Sequence, residues 1–480
     1  MIWTLLACTP SVLQAVDEQR SELRSDRKIM EEALEGLPQT QAGGPSVVII
    51  VLDTLRADHL GAYGDTRNLM PKLDAFAEKG RVYSEMQSVA PWTLPSHASL
   101  FTGVHAINHG AHGTPPGSRS RGLALGKSKA TLAERFQSQG YTTVGIAANR
   151  AFLDGRWGLG RGFDVWMCEQ LDDVPGQGYL QANRVVALSQ QVMAARGGGK
   201  TMLFLNFMEA HSPWIPREGY VEDPSVIDIM HLPTGLEWAG DRHDFAAISA
   251  RVNGGKKDAT AAERASWEAA YASELRYLDD QLGELFEVLE DNGHDFEKDY
   301  TIILSDHGEF LGEHRLLEHS KALYKQVTDV PLIVRGPGIS PGVDPDPVQT
   351  SDVPNLLLGW MGMTPLENTP ETDLQVSEMY WARRKTRGTP AQVLRFDHLQ
   401  RSFTLGDHRV VLQDDGKHMA FDLAKDPGEY RNVYSTAEWV PELEALGQAW
   451  LAGQSFGEQV EVGEMSPAQE EALRALGYME

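Results

Sequence analysis

The chain of 480 residues is too long for one compact core, since a domain commonly holds roughly 150 residues, so two or three structural units are expected. Its 41% hydrophobic and 23% charged residues are an ordinary globular composition, which excludes a disordered, collagen-like or disulfide-stapled protein. The net charge of −25, from 43 Lys and Arg against 68 Asp and Glu, would repel a phosphate backbone and argues against nucleic-acid binding.

A short apolar stretch at the beginning of the chain contains Cys8, one of its two cysteines. Leu5-Leu6-Ala7-Cys8 is similar to the lipobox of bacterial lipoproteins, in which the cysteine becomes a lipidated N-terminus. Because no Lys or Arg precedes it and the apolar run is short, the motif predicts a longer signal peptide that starts upstream. It then implies a periplasmic or cell-surface protein, anchored to the membrane through Cys8. The alternative is an apolar N-terminus without a signal.

Strand and helix patterns alternate after a mixed-charge helical spacer that ends at about residue 45. Val47–Leu52 is continuously apolar and rich in β-branched residues, as in a strand buried on both faces of a parallel sheet. Further strands are predicted at 142–146, 202–207 and 300–304, and helices at 132–139 and 271–289. This alternation predicts an α/β fold with a mainly parallel central sheet flanked by helices.

The hydrophobic pattern changes at two places in the later part of the chain. Periodicity is lost between 216 and 266, which predicts a long insertion or surface excursion. From about residue 365, short strand patterns at 409–413 and 418–422 enclose an Asp-Asp-Gly-Lys turn, a hairpin signal. We therefore divide the chain into an N-terminal segment, 1–45, a large α/β unit, 46–365, and a smaller C-terminal unit with antiparallel strands, 366–480.

Acidic and imidazole side chains follow three of the predicted strands. In an open α/β sheet, ligands bind at the carboxyl ends of the strands. Carboxylates combined with imidazole suit a hard or borderline divalent cation. The strand-end groups, in chain order, are Asp53 with Thr54, Glu209 with His211, and Asp306 with His307.

Segment 90–103, APWTLPSHASLFTG, predicts the start of a helix beside a hydroxyl group. Pro95 fixes the backbone, and Ser96 is placed to cap a helix that opens with His97. The free N–H groups and the positive end of that helix would face Thr93 and stabilise an anion there. A metal-coordinated hydroxyl in that place is a candidate nucleophile, which makes Thr93 the predicted attacking group.

The chain resembles the sulfatase family of the alkaline phosphatase superfamily in a series of ordered motifs: VVIIVLDTLRADHLGAYG, LPSHASLFTG, GYTTVGIAAN, FLNFMEAHSPW, YLDDQLGEL, LSDHGEFLGEH and DVPLIVRGPG. The resemblance extends from Ser46 to about Tyr434, where MAFDLAKDPGEYRNVY is similar to the family's C-terminal strand and turn. It implies an alkaline-phosphatase-like fold, one divalent cation (Ca²⁺, Mg²⁺ or Mn²⁺), and hydrolysis of a sulfate or phosphate ester of a small molecule, glycan or lipid.

The resemblance also implies roles for individual residues. One metal is favoured over a second site at Glu209 and His211, because the family of closest resemblance uses one. A cation such as Lys321 would offset charge that develops on the transferred oxygens. The implied metal ligands are Asp53, Thr54 (in place of an acidic or amide ligand), Thr93, Asp306 and His307. The implied catalytic residues are Thr93, His97 (in place of an arginine), His211, His319 and Lys321.

Thr93 stands where the family has a cysteine, less often a serine, that is oxidised to formylglycine. Oxidised threonine would be a ketone, so formylglycine is not expected. Thr93 would instead attack as an alkoxide, as in the phosphodiesterase and phosphoethanolamine-transferase branches of the superfamily, which favours phosphorus without excluding sulfur. The alternatives are a phosphodiesterase or phosphotransferase of the same superfamily, and a non-catalytic sulfatase-like binding protein.

Overall fold

The computed structural model describes residues 34–35, 44–114, 122–168, 179–196, 198–214, 216–226, 248–249, 251–254, 258–367, 372–381 and 398–462. Cys8, most of the predicted N-terminal segment and the centre of the predicted insertion lie outside these ranges. Within them, no helix combines the length and the apolar composition needed to cross a bilayer.

The described residues form strands and helices in alternation, followed by an antiparallel sheet. The strands are β1 (Val47–Leu52), β2 (Arg81–Tyr83), β3 (Met86–Gln87), β4 (Leu123–Ala124), β5 (Thr142–Ala147), β6 (Val165–Met167), β7 (Thr201–Phe207), β8 (Tyr300–Leu304), β9 (Phe310–Leu311), β10 (Leu317–Glu318), β11 (Leu332–Arg335), β12 (Gly342–Asp344), β13 (Val348–Gln349), β14 (Gln375–Met379), β15 (Gln400–Leu405), β16 (His408–Gln413), β17 (Met419–Asp422) and β18 (Val460–Glu461). The α-helices are α1 (Pro71–Ala77), α2 (Thr93–Thr102), α3 (Ala106–His109), α4 (Leu132–Ser138), α5 (Ala182–Ala195), α6 (Ala261–Asp291), α7 (Lys325–Thr328), α8 (Val353–Trp360) and α9 (Val440–Ala452).

The central sheet has eight strands in the order β12-β2-β11-β8-β1-β7-β5-β6. β1 pairs in parallel with β7 on one side and with β8 on the other. β11 runs antiparallel to both of its neighbours, β8 and β2, and the other pairings are parallel. Every residue of β1, β7 and β8 is buried, as the continuous apolar patterns predict. The predicted α/β fold with a mainly parallel sheet is confirmed.

The helix predicted at 271–289 is longer than its apolar pattern indicates. α6 begins at a capping box in which the Thr260 side chain accepts from the Glu263 backbone N–H and the Glu263 side chain accepts from Thr260. The first turns are largely polar or small, so they carry little apolar periodicity. The predicted insertion, placed at 216–266, was therefore extended too far into this helix.

The C-terminal sheet has the order β14-β15-β16-β17, with antiparallel pairing throughout. The hairpin predicted around residues 409–422 is β16 and β17, which confirms the antiparallel C-terminal unit. α9 packs on this sheet through Val440 and Leu443, which join a buried cluster with Phe403 and Val410. Gly447 allows the helix to approach closely, because a Cβ there would lie 2.6 Å from the Phe403 ring.

A fully buried arginine joins this sheet to the segment between α7 and β11. Arg409, on β16, donates to Glu429 Oε1 at 2.9 Å, to Asp329 Oδ1 at 3.1 Å and to Thr404 Oγ1 at 3.0 Å. Asp329 directly follows α7, whereas Thr404 lies on β15. Glu429 is 1% exposed, so its carboxylate depends on Arg409 for charge compensation.

We expect Arg409→Met to lower the free energy of unfolding by about 3–5 kcal/mol, because it leaves the Glu429 carboxylate buried without its cation. Arg315→Met is the control, since Arg315 is 54% exposed and pairs with Asp258, which is 61% exposed; its cost should be under about 1 kcal/mol. Chemical denaturation of both variants measures the difference, and equal costs would contradict the role of Arg409.

Candidate active site

The carboxyl ends of four adjacent strands bring four predicted site residues together with Asn149, which was not predicted. Asp53 follows β1, Asp306 and His307 follow β8, His211 follows β7, and Asn149 follows β5. Because β8, β1, β7 and β5 are neighbours in the sheet, groups separated by more than 250 residues in the chain meet at one edge.

Asp53, Asp306 and His307 form a buried cluster that could hold a metal ion. One ligand atom from each residue lies within 4.8 Å of the others. His307 Nε2 is 3.7 Å from Asp53 Oδ1 and 3.4 Å from Asp306 Oδ2. Both of these carboxylate oxygens are buried and have no hydrogen-bond partner among the described residues. Buried carboxylate oxygens without partners are costly unless a cation compensates them.

The electrostatics of the cluster also fit a divalent cation. Burial raises the pKa of Asp306 to about 8. Burial, and then the nearby Asp306, raise the pKa of Asp53 well above its usual value. Burial lowers the pKa of His307, which keeps its imidazole neutral and able to act as a ligand. Two carboxylates and a neutral imidazole would neutralise a divalent ion, so these three residues fit the predicted metal.

Thr93 is the first residue of α2, so the predicted helix start at His97 was wrong by four residues. Trp92, in extended conformation, precedes the helix, and Pro95 lies within its first turn, where the absent N–H costs no hydrogen bond. Ser96 does not cap the helix. Its hydroxyl donates instead to the Asp306 carbonyl at 2.7 Å, which fixes α2 against the end of β8.

The Thr93 hydroxyl lies beside the metal-competent cluster. Its Oγ1 is 3.5 Å from His307 Nε2 and accepts from Asn149 Nδ2 at 3.2 Å. Asn149 Nδ2 also donates to Asp53 Oδ2 at 3.0 Å. Asn149 was not among the predicted site residues, although it ends the GYTTVGIAAN motif. Its position after a buried strand was the available signal.

Thr54 contributes mainly through its backbone. Its φ of 61° places a β-branched residue in the left-handed region, which is rare and costs energy. The Thr54 N–H points at Asp306 Oδ1, 3.3 Å away, and its hydroxyl donates to the Asp53 carbonyl at 2.7 Å. Metal ligation by the Thr54 hydroxyl remains a prediction.

His97 lies one turn after Thr93 and is fully buried. Its Nδ1 is 3.0 Å from the Thr93 carbonyl oxygen and 3.4 Å from Asp306 Oδ2. Burial lowers its pKa to about 3, so the ring is neutral. It therefore does not supply the positive charge of the arginine that it replaces in the family resemblance. A catalytic role for His97 remains a prediction.

The rings of His211 and His319 lie near the His307 ring, in edge-on and tilted contacts. The His319 ring centroid is 4.5 Å from that of His307 and 4.8 Å from that of His211. Burial lowers the pKa of His211 to about 3. Lys321 Nζ donates to Glu318 Oε2 at 2.9 Å and to the His319 carbonyl at 3.0 Å. Its ammonium is thus held on the same loop as His319.

The Glu209 carboxylate is hydrogen-bonded to backbone N–H groups and is not part of the cluster of Asp53, Asp306 and His307. It accepts from the Ala182 N–H at 2.6 Å, at the start of α5, and from the Met208 N–H at 3.2 Å. These bonds give the buried Glu209 a structural role as a helix cap. The preference for one metal over a second site at Glu209 and His211 remains a prediction.

Comparisons with known proteins match this architecture. Residues 45–363 match the family model described as Sulfatase. The chain is 22% identical over 434 residues to the uncharacterized sulfatase YidJ of Escherichia coli (strain K12), covering 81% of this chain and 83% of that protein. It is 24% identical over 471 residues to an arylsulfatase of Clostridium perfringens, covering 84% and 92%. A phosphonate monoester hydrolase of Agrobacterium radiobacter superposes with a TM-score of 0.64 at 18% identity, covering 85% and 95%.

The mainly parallel sheet, with carboxylates, imidazole and a hydroxyl at its carboxyl edge, is an alkaline-phosphatase-like α/β fold, and the matching sulfatases place the chain in the class of ester hydrolases. Because the family model spans well over half of the chain, the protein belongs to the sulfatase family. The resemblance inferred from the sequence motifs is confirmed.

Proposed function

We propose that the protein hydrolyses an ester of a phosphorus or sulfur oxyanion through a covalent ester on unmodified Thr93. The observation that carries the proposal is the Thr93 hydroxyl, held by Asn149 beside Asp53, Asp306 and His307. A divalent ion held by those three residues would supply positive charge next to Thr93 Oγ1 and favour its alkoxide form.

In the first step, Thr93 Oγ1 attacks the phosphorus or sulfur atom. A bond forms to Oγ1, and the bond to the leaving alcohol breaks. The proton that Thr93 loses balances the one that the alcohol gains. Lys321 is the cation assigned to the leaving oxygen, because burial keeps the nearby His211 imidazole neutral. The alcohol would belong to a small molecule, a glycan or a lipid.

In the second step, water attacks the same atom and releases Thr93. The bond from phosphorus or sulfur to Oγ1 breaks, Oγ1 regains a proton, and the oxyanion leaves. A neutral imidazole next to His307 can accept the proton of the water, and His319 occupies that place. An ester on a formylglycine hydrate can break down by re-forming the aldehyde. An ester on threonine has no such route, so the release of Thr93 requires in-line attack by water. This requirement favours phosphate or phosphonate esters over sulfate esters.

A panel of matched aryl esters tests this preference. We expect the purified protein, supplied in turn with Ca²⁺, Mg²⁺ and Mn²⁺, to cleave an aryl phosphonate monoester or phosphate diester faster than an aryl sulfate. Chelation should abolish the activity. Faster cleavage of the sulfate would contradict the preference for phosphorus, and the absence of turnover on every ester would support a binding protein.

We further propose that the protein is exported and anchored through a lipid on Cys8, on the basis of the lipobox-like Leu5-Leu6-Ala7-Cys8. Expression of the full gene, with any in-frame codons upstream, should place the protein in the membrane fraction, because the several acyl chains of a lipoprotein anchor stably. Cys8→Ser should move it to the soluble fraction. A cytoplasmic product with unmodified Cys8 would contradict export.

A further inference from the structure

Glu309, two residues after His307, is a buried carboxylate to which the steps above assign no part. It is fully buried, and its two oxygens face different segments of the site. Oε1 lies 3.0 Å from His319 Nδ1, and Oε2 accepts from the Ser212 backbone N–H at 3.0 Å. The Glu309 carbonyl in turn accepts from Arg56 at 3.1 Å, which fixes its backbone to the first loop.

These contacts constrain the imidazole of His319. An ionised Glu309 only accepts hydrogen bonds, on Oε2 from the Ser212 N–H and on Oε1 from His319, so this contact places a proton on His319 Nδ1. In a neutral ring with its proton on Nδ1, Nε2 carries a lone pair and can accept a proton. The same pairing of carboxylate and imidazole fixes the tautomer of the general base in serine hydrolases.

We propose that Glu309 is a positioning residue that fixes the Nδ1–H tautomer of His319, so that Nε2 takes the proton of the water that releases Thr93. This inference rests on the proposed function, because it concerns the second step. The proton passes from water to Nε2 as the new bond to phosphorus or sulfur forms, and then returns to Thr93 Oγ1 or to solvent. Glu309 itself exchanges no proton with the substrate.

Glu309→Gln is the discriminating variant. A glutamine amide has one acceptor oxygen and one donor nitrogen, whereas Glu309 accepts on both sides. The Ser212 backbone N–H cannot become an acceptor, so the glutamine oxygen must face it. The glutamine NH₂ then donates to His319 Nδ1, which forces the proton onto Nε2. The shape of the site is kept while the base is lost.

Kinetics with an aryl ester that has a good leaving group separate the two steps. We expect kcat of Glu309→Gln to fall by about 10²-fold or more, the size of a general-base contribution. We expect kcat/KM, which reports formation of the Thr93 ester, to stay within about threefold of wild type. Damage to the whole site would lower both.

Asp279→Asn is the matched control. Asp279 is 2% exposed and also accepts backbone N–H groups, from Lys72 and Leu73, at the start of α1. The Asp279→Asn variant therefore replaces a buried carboxylate by an amide at a position away from the His319 ring. We expect its kcat and kcat/KM to match wild type.

The tautomer is measured directly, without turnover, from the ¹⁵N chemical shifts of imidazole in selectively labelled full-length protein. The His319 signals are assigned by their absence in His319→Gln. Wild type should carry the proton on Nδ1 and Glu309→Gln should carry it on Nε2. A proton on Nε2 in wild type would overturn the inference even if the variant failed to fold. An unchanged tautomer with parallel losses of kcat and kcat/KM would reduce Glu309 to a structural role. Absence of a Thr93 ester would instead refute the proposed function.

Discussion

Thr93→Val is expected to reduce turnover by on the order of 10⁴-fold or more, because it removes the oxygen that forms the covalent ester. Valine keeps the size and branching of threonine at the start of α2. It loses the hydrogen bond from Asn149, which costs about 1 kcal/mol of stability, so the fold should survive. Steady-state rates on the best ester of the panel measure the effect.

Two variants on the same helix control this result. Thr102→Val makes the same change at another fully buried threonine, whose hydroxyl donates to the Ala98 carbonyl at the other end of α2. It should keep the wild-type rate. Thr93→Ser should retain part of the activity, because it keeps an attacking oxygen. If Thr93→Val turned over at the wild-type rate, a water molecule would have to be the nucleophile.

Asp306→Ala is expected to abolish most metal binding. The three protein ligands of the cluster are few, so the loss of one carboxylate should weaken the site strongly. Wild type should gain about 2.7 kcal/mol of stability at a metal concentration a hundred times the dissociation constant. The variant should gain little at that concentration. Thermal unfolding with and without metal measures the gain, and elemental analysis measures the bound metal.

The stability of the metal-free protein provides a second test. Burial raises the pKa of Asp306 to about 8, so its ionised form is disfavoured in the folded state without metal. Removing a neutral Asp306 leaves no unpaired buried charge behind. The free energy of unfolding of Asp306→Ala, measured without metal, should therefore not fall as it does when one member of a buried ion pair is removed. Asp279→Ala removes a buried carboxylate outside the cluster and should keep the full metal response. Stoichiometric metal in Asp306→Ala would refute the assignment of the ligand.

The continuous apolar patterns predicted the buried strands well, because such a pattern depends only on the burial of the strand's own residues. β1 and β8 have the expected bounds, since both faces of these strands are covered and every residue is apolar or small. β2 and β12, of three residues each, carry too little periodicity to be recognised. The antiparallel direction of β11 depends on the path of the chain, which no local pattern records.

The site was predictable where residues follow strands and unpredictable where long-range contacts decide their roles. Ser96 has the residue type of a helix cap, but the Asp306 carbonyl, 210 positions away, takes its hydroxyl. Asn149 reads locally as a turn residue and gains its role only because β5 lies beside β7 in the sheet. Glu309 reads locally as one acid in an acidic motif, and only the folded site shows that it joins His319 to Ser212.

Turnover through an ester on the Thr93 oxygen can be tested directly by trapping that ester. Acid quenching within the first turnover, with an aryl phosphonate monoester or phosphate diester that has a good leaving group, should trap this species. Mass spectrometry of the peptide that contains Thr93 should then show the added mass of the transferred group, which should be absent in Thr93→Val. An unmodified Thr93 peptide at every quench time, with alcohol released at the full rate, would contradict the account.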